Sequence, residues 1–239
     1  MKNLPLIILS LAFSLVDLKA LSPEEIVADF QFQESPVPVQ SKVGKISAAY
    51  YTGVTAASPV YQELEGKASL SFSGSGGLII PSQGLDYSQN SLGIFLRIWV
   101  SDLPKSTVTI AAQQGKFYVE LTPIGYVSAR ILGVPEATTV TSAESKLKVI
   151  AGTWNDILVS FENGQAELFL NDQPAGSAGT SNALAGSQNP LSVGGVLSKA
   201  GSLEKTPDNH WRNLFTGNIL RFLITRTAIT PDEVQQENP

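Results

Sequence analysis

The 239-residue sequence contains no cysteine, one methionine and a single histidine, His210. Without cysteine there are no disulfides, no thiolate zinc site and no acceptor for an N-terminal lipid. A lone histidine means that any triad, metal–histidine cluster or histidine base would have to use His210. Basic residues are also short, 16 Lys and Arg against 21 Asp and Glu, and they form no runs. That argues against a nucleic-acid footprint and against an anionic membrane surface as partner. No helical period of useful length, internal repeat, charge block or interdomain linker is visible, so one domain over 21–239 is the simplest organisation. An exported domain without disulfides is held by its core, which a chain of this length can supply. The absence of cysteine suits a bacterial exported protein better than an animal extracellular module.

What is present begins with a leader. Lys2 gives a short positive start, residues 4–16 are apolar, and Leu18-Lys19-Ala20 ends on a small residue. This is the layout of a secretory signal peptide over 1–20. The apolar run is shorter than the roughly 20 residues a spanning helix needs. No second stretch of that length follows, so membrane insertion of the mature chain is not expected. Removing Lys2, Lys19 and Asp17 leaves 14 basic and 20 acidic residues, a net charge of −6. The expected location is secreted, periplasmic or at the cell surface.

The rest reads as strands. In 152–172, GTWNDILVSFENGQAELFLND, Asn163-Gly164 supplies a pair suited to a type I′ turn, whose central residues both have positive φ. Folding there sets Phe161 opposite Ala166, Val159 opposite Leu168 and Ile157 opposite Leu170, six residues on one face. Asn171-Asp172 offers a second tight turn. Further strands are predicted at 26–32, around 45–51, and at 68–72, 78–80, 92–100, 107–112, 116–121, 127–132, 146–150, 191–193 and 218–225. Residues 92–100 are nearly all apolar, as in a central strand covered on both faces. Residues 33–62 read as a long irregular connection around the short strand near 45–51. Ser22-Pro23-Glu24-Glu25 and Thr230-Pro231-Asp232-Glu233 carry helix-start chemistry at either end.

In order and spacing these segments resemble the laminin G-like modules of the concanavalin A-like lectin and glucanase superfamily. The resemblance rests on GKASLSFSGSGGLIIP (66–81), GIFLRIWV (93–100), the 152–172 hairpin and FTGNILRFLITRTAITPDEV (215–234). It implies an all-β, concanavalin A-like jelly-roll sandwich of two antiparallel sheets, a scaffold used to bind sugars, proteins or calcium. Several of the family's acidic positions are changed: Ser73 and Gly77 stand at two of them, and Leu220 and Arg221 at a pair in the closing strand. Asn171-Asp172 replaces the usual Asp-Gly. Calcium needs 6–8 oxygen ligands, so no family calcium ligand carries over and no cofactor is expected. A calcium site would have to be built from loop carbonyls and Asp or Asn side chains.

The catalytic patterns fare no better. Glucanases of the superfamily carry a Glu-x-Asp-x-x-Glu strand, which is missing here. Glu24/Glu25 and Asp232/Glu233 sit at helix starts, where the dipole accounts for them, and Glu63/Glu65 reads as a solvated edge. Ser73–Gly77 comes close to a nucleophile elbow but lacks its spacing and its strand-to-helix context. Gly194-Gly195 lacks a phosphate-loop signature. The long loop after Gly195 is more informative, because loops beyond about 12–15 residues are often functional. It brings together Asp208, Asn209, His210, Trp211 and Arg212, an aromatic face with hydrogen-bonding neighbours suited to a sugar. The competing reading packs Trp211 back onto the sheet. The resemblance places Trp99 and Trp154 at framework strand positions, which implies core or under-core packing, and Tyr50, Tyr51 and Tyr126 are further aromatic candidates. The function expected is an exported, non-catalytic recognition module for carbohydrate or a surface partner, using edge loops. Its competitors are a structural or protein-interaction subunit of a surface assembly and, more remotely, a divergent glycoside hydrolase.

Overall fold

Alternating apolar and polar residues, interrupted by Gly, Pro and Asn, build eighteen strands and one short helix among the described residues. The computed structural model describes residues 20–32, 39–43, 46–51, 58–85, 87, 90–133, 136–179, 183–197 and 211–235. Residues 1–19 of the expected signal peptide lie outside that set.

The strands begin with β1 (Ile26–Gln31), β2 (Val39–Gln40), β3 (Ser47–Tyr51), β4 (Val60–Leu64), β5 (Lys67–Ser73) and β6 (Gly77–Ile80). There follow β7 (Ser91–Trp99), β8 (Val108–Gln113), β9 (Phe117–Leu121), β10 (Val127–Leu132), β11 (Ala137–Thr141) and β12 (Trp154–Glu162). The last are β13 (Gln165–Leu170), β14 (Gln173–Gly179), β15 (Leu191–Val193), β16 (Val196–Leu197), β17 (Trp211–Arg212) and β18 (Thr216–Thr225), then helix α1 (Pro231–Gln235). Sheet 1 has the order β14-β13-β12-β7-β18-β5-β4, with β1 also paired to β18. Sheet 2 has the order β11-β10-β9-β8-β15-β6-β3-β2, and β16 with β17 forms a separate ribbon. Neighbours pair antiparallel. The chain is thus an all-β sandwich of two antiparallel sheets.

The hairpin of β12 and β13 has the register its sequence predicts, with Ile157, Val159 and Phe161 opposite Leu170, Leu168 and Ala166. Asn163 and Gly164 take φ of 46° and 85°, and Asn171 and Asp172 take 50° and 64°. Both turns therefore use the left-handed region, which Asn, Asp and Gly enter at least cost. The helix-start chemistry also holds at both ends. Ser22 N donates to Glu25 Oε2 at 2.8 Å and Thr230 N to Glu233 Oε2 at 2.8 Å.

Inner faces of the sheets meet in one core containing Phe30, Phe72, Leu96, Phe117, Phe161, Phe215 and Phe222. A second buried cluster lies on the outer face of sheet 1. There Phe95, Leu158 and Leu223 are capped by Leu21 from the N-terminal side and by Ile229 and Val234 from around α1. β7 is consequently covered on both faces over that half, as its continuous apolar sequence predicts.

Five local features differ from what the sequence alone suggests. Residues 146–150 form no strand, because Lys146 turns the chain at φ 62° and Ile150 N bonds the Asn155 side chain instead of a neighbour. β14 carries the Gly, Pro and Ser of a loop yet pairs along β13 as an edge strand. β4 falls partly inside the stretch read as irregular, and β11 had no clear apolar alternation. The glycine-rich turn after Ser73 closes no hairpin, since β5 belongs to sheet 1 and β6 to sheet 2.

Candidate ligand-binding faces

The loop singled out by the sequence is anchored at both ends on the outer face of sheet 2. Leu197 pairs with Trp211 and Val196 with Arg212, and Asn213 O accepts a 2.7 Å bond from Thr109 N of β8. Trp211 is 8% exposed and packs with Ile79 and Leu197. Glycines make room for it: a Cβ on Gly77 would stand 2.6 Å from Trp211 Cη2, and one on Gly195 would stand 2.9 Å from Cε3. Trp211 thus holds the ribbon to the sheet, the packing arrangement its sequence left open. Arg212 is exposed. Asp208, Asn209 and His210 lie outside the described residues.

Beyond the ribbon, sheet 2 leaves an open strip. Period 2 along β9 turns Phe117, Val119 and Leu121 inward and Tyr118 and Glu120 outward. Across the ladder, Ser128 stands opposite Glu120 and Arg130 opposite Tyr118. The Arg130 guanidinium lies 4.3 Å from the Tyr118 ring centroid, an exposed cation–π contact. Alternation alone marks these outward positions, which lie on strands rather than in a loop. Tyr126 is half-buried beneath Lys148, whose Nζ is 4.9 Å from its ring centroid. Tyr50 and Tyr51 belong to β3.

The outer face of sheet 1 is divided. Arg97 and Asp156, opposite one another on β7 and β12, form a two-pronged ion pair with both bonds at 2.6 Å. On one side lies the capped cluster around Phe95. On the other side Trp99 of β7 faces Trp154 of β12. Both were expected in core or under-core packing; both are half-buried and belong to none of the buried clusters. Flanking Ile98 and Val100 point inward, so alternation assigns Trp99 outward.

Two clefts flank β13. One of about 520 Å³ is bordered by Glu144, Ser145, Glu167, Phe169, Pro174 and Ser177. The other, about 400 Å³, is bordered by Glu162, Glu167, Ile229 and Glu233. Near α1, Asp172 is raised above its ordinary carboxylate value, first by partial desolvation and then by the charge of Asp156. Asp156 in turn keeps Arg97 more firmly protonated through their hydrogen bonds. Among the described residues no group of three or more His, Cys, Asp or Glu could hold a metal ion. No helix among them is long and apolar enough to cross a membrane.

A laminin G-type family model, described as concanavalin A-like lectin/glucanases superfamily, matches residues 72–235. No curated protein matches the chain in sequence. Among solved structures it is similar to domain 4 of AbnA, a GH43 extracellular arabinanase from Geobacillus stearothermophilus, in complex with arabinotriose. That pair has 18% identity and a TM-score of 0.66, covering 89% of this chain and 97% of the other. The binding domain of botulinum neurotoxin DC in complex with SialylT gives 10% identity and 0.63, covering 90% of this chain and 51% of the other. Trypanosoma rangeli sialidase with 2,3-difluorosialic acid gives 10% identity and 0.56, covering 88% of this chain and 32% of the other. At these identities the likeness is one of fold.

Proposed function

Because the chain belongs to the concanavalin A-like lectin/glucanases superfamily, whose fold serves both enzymes and binding modules, we propose that it is an exported, non-catalytic module that binds carbohydrate. The observation that carries this reading is the open strip of sheet 2. Tyr118 presents an aromatic surface, Arg130 is fixed over it, and Glu120 and Ser128 offer hydrogen-bonding groups one row away. The strip borders the ribbon from which residues 198–210 spring, so Asp208, Asn209 and His210 are proposed as additional contacts, with Arg212 beside them. Carbohydrate-bound relatives of the same fold support the ligand class. Export rests on the leader pattern of residues 1–20.

A glycan array followed by isothermal titration tests the reading. Tyr118→Ala and Arg130→Ala are each expected to weaken binding roughly tenfold. If no glycan binds, carbohydrate recognition is wrong; if both variants bind normally, the site is not on sheet 2. A hydrolase could draw on Glu144 and Glu167 at the larger cleft or on Glu162, Glu167 and Glu233 at the smaller one. Hydrolysis of a bound glycan that Glu144→Gln or Glu167→Gln abolishes would overturn the non-catalytic part.

A further inference from the structure

The uncovered half of sheet 1 carries a second feature that the strip on sheet 2 does not use. Register places five residues in one row across five strands. Val60 of β4 faces Ser71 of β5, Ser71 faces Asn218 of β18, Asn218 faces Trp99 of β7, and Trp99 faces Trp154 of β12. Neighbouring strands are about 4.8 Å apart, so the row is roughly 19 Å long. Val60 is 63% exposed at one end, and the two indoles are partly exposed at the other.

The indoles present an unusual surface. The Nε1 atoms of Trp99 and Trp154 are both covered from water and bond nothing among the described residues. The rings thus turn their N–H groups away from solvent and leave only carbon exposed. The charged groups alongside, Arg97 and Asp156, neutralise one another through their paired bonds. Ser71 supplies a partly exposed hydroxyl along the row, while Asn218 lies buried at its middle, its amide donating to Ser69 Oγ.

We propose that this row is a stacking site for a neutral saccharide chain, with sugar C–H faces lying on Trp99 and Trp154. The proposal rests on the carbohydrate reading but places a site on the opposite sheet, giving the module two ligand faces. A chain of several sugar rings matches a row of this length better than a single anionic group does. Exposed carbon without net charge favours neutral over acidic sugars. Stacking on aromatic faces and hydrogen bonding from flanking polar groups are the two interactions such a ligand uses.

The test is titration of the purified chain with cellohexaose, xylohexaose and arabinohexaose, followed by calorimetry and tryptophan fluorescence. Binding of at least one probe with fluorescence change is expected. Trp99→Ala and Trp154→Ala should each weaken it roughly three- to tenfold, and Ser71→Glu should weaken it without altering either indole. Trp99→Tyr and Trp154→Tyr should keep most of the affinity, which separates stacking from a folding defect. Unchanged affinity in folded Trp variants, with loss in Tyr118→Ala, overturns the second face and leaves the proposed function standing. Failure of every probe, together with a blank glycan array, overturns both. A dimer in light scattering that the Trp variants dissolve, with glycan binding intact, overturns the proposal in favour of a contact between copies.

Discussion

Arg221 of β18 and Asp29 of β1 meet in a two-pronged ion pair, with Nε and Nη2 2.9 and 3.0 Å from the two carboxylate oxygens. Their side chains are 1% and 4% exposed. A register shift between Ile219 and Arg221 turns Arg221 to the outer face, and Ser41 Oγ accepts from Asp29 N. Phe95 lies below both guanidiniums on this face, 5.9 Å from Arg97 and 5.9 Å from Arg221. Arg221 stands where the laminin G-like pattern often carries an acidic residue. Here that position serves to tie the first strand to the last.

Breaking the pair from one side should be costly. Asp29→Ala leaves a buried guanidinium without its counter-charge, a loss of about 3–5 kcal/mol in urea unfolding. Asp29→Ala combined with Arg221→Met should recover part of that loss, because no uncompensated charge remains. A double variant as unstable as the single one would contradict this account.

Trp211 should behave as packing. Trp211→Ala is expected to lower stability by about 3 kcal/mol. Gly77→Ala should cost about 1–3 kcal/mol by overpacking, since its Cβ would stand 2.3 Å from the Val193 carbonyl oxygen and against the Trp211 ring. Circular-dichroism melts of both variants check the pair. A stable Gly77→Ala would mean that the ring has room to move.

At the hairpin turn, Gly164 holds φ 85°. Gly164→Ala should cost about 1–2 kcal/mol by forcing a Cβ into the left-handed region, whereas Asn163→Gly should be nearly neutral. Equal losses at the two positions would remove the turn explanation.

Asp172 gives stability a pH dependence. Its folded value lies above the ordinary 3.8, with burial the larger cause and Asp156 the next, so ionising it disfavours the folded chain. The associated stability is complete below pH 3.8 and is lost as pH rises through the raised folded value. Asp172→Asn should therefore melt higher than the parent at pH 7 and show no advantage near pH 3. The same difference at both pH values would exclude Asp172 as the cause.

The parts legible in the sequence are those where local chemistry and burial agree. Asn163-Gly164 and the apolar face around Val159 define one hairpin and its register without help from distant residues. Ile94, Leu96 and Ile98 are inward while Phe95 is buried on the other side, so β7 reads as central. β14 was not legible because an edge strand needs only one partner and tolerates Pro174 and Gly176. The 146–150 segment misleads because Val149 is buried from an irregular backbone, and burial alone does not reveal a strand. Among candidate site residues, Trp211 could not be placed from sequence, since its seat is created by Gly77, more than a hundred positions away. Tyr118, Trp99 and Trp154 were within reach of strict alternation; what hid Trp99 was the apolar density of its strand.

The Asp29–Arg221 contact also bears on how the chain assembles. It joins positions 192 residues apart, whereas the β12–β13 hairpin closes over a two-residue turn. Distant pairing carries the larger loop-closure cost and slows folding. The hairpin can therefore form early, but β1 gains its partner only after β18 is available. During synthesis the first strand must wait with its Phe30 face unburied until residues 216–225 have emerged. Trimming β18 should consequently trap an incompletely folded chain rather than a slightly smaller domain.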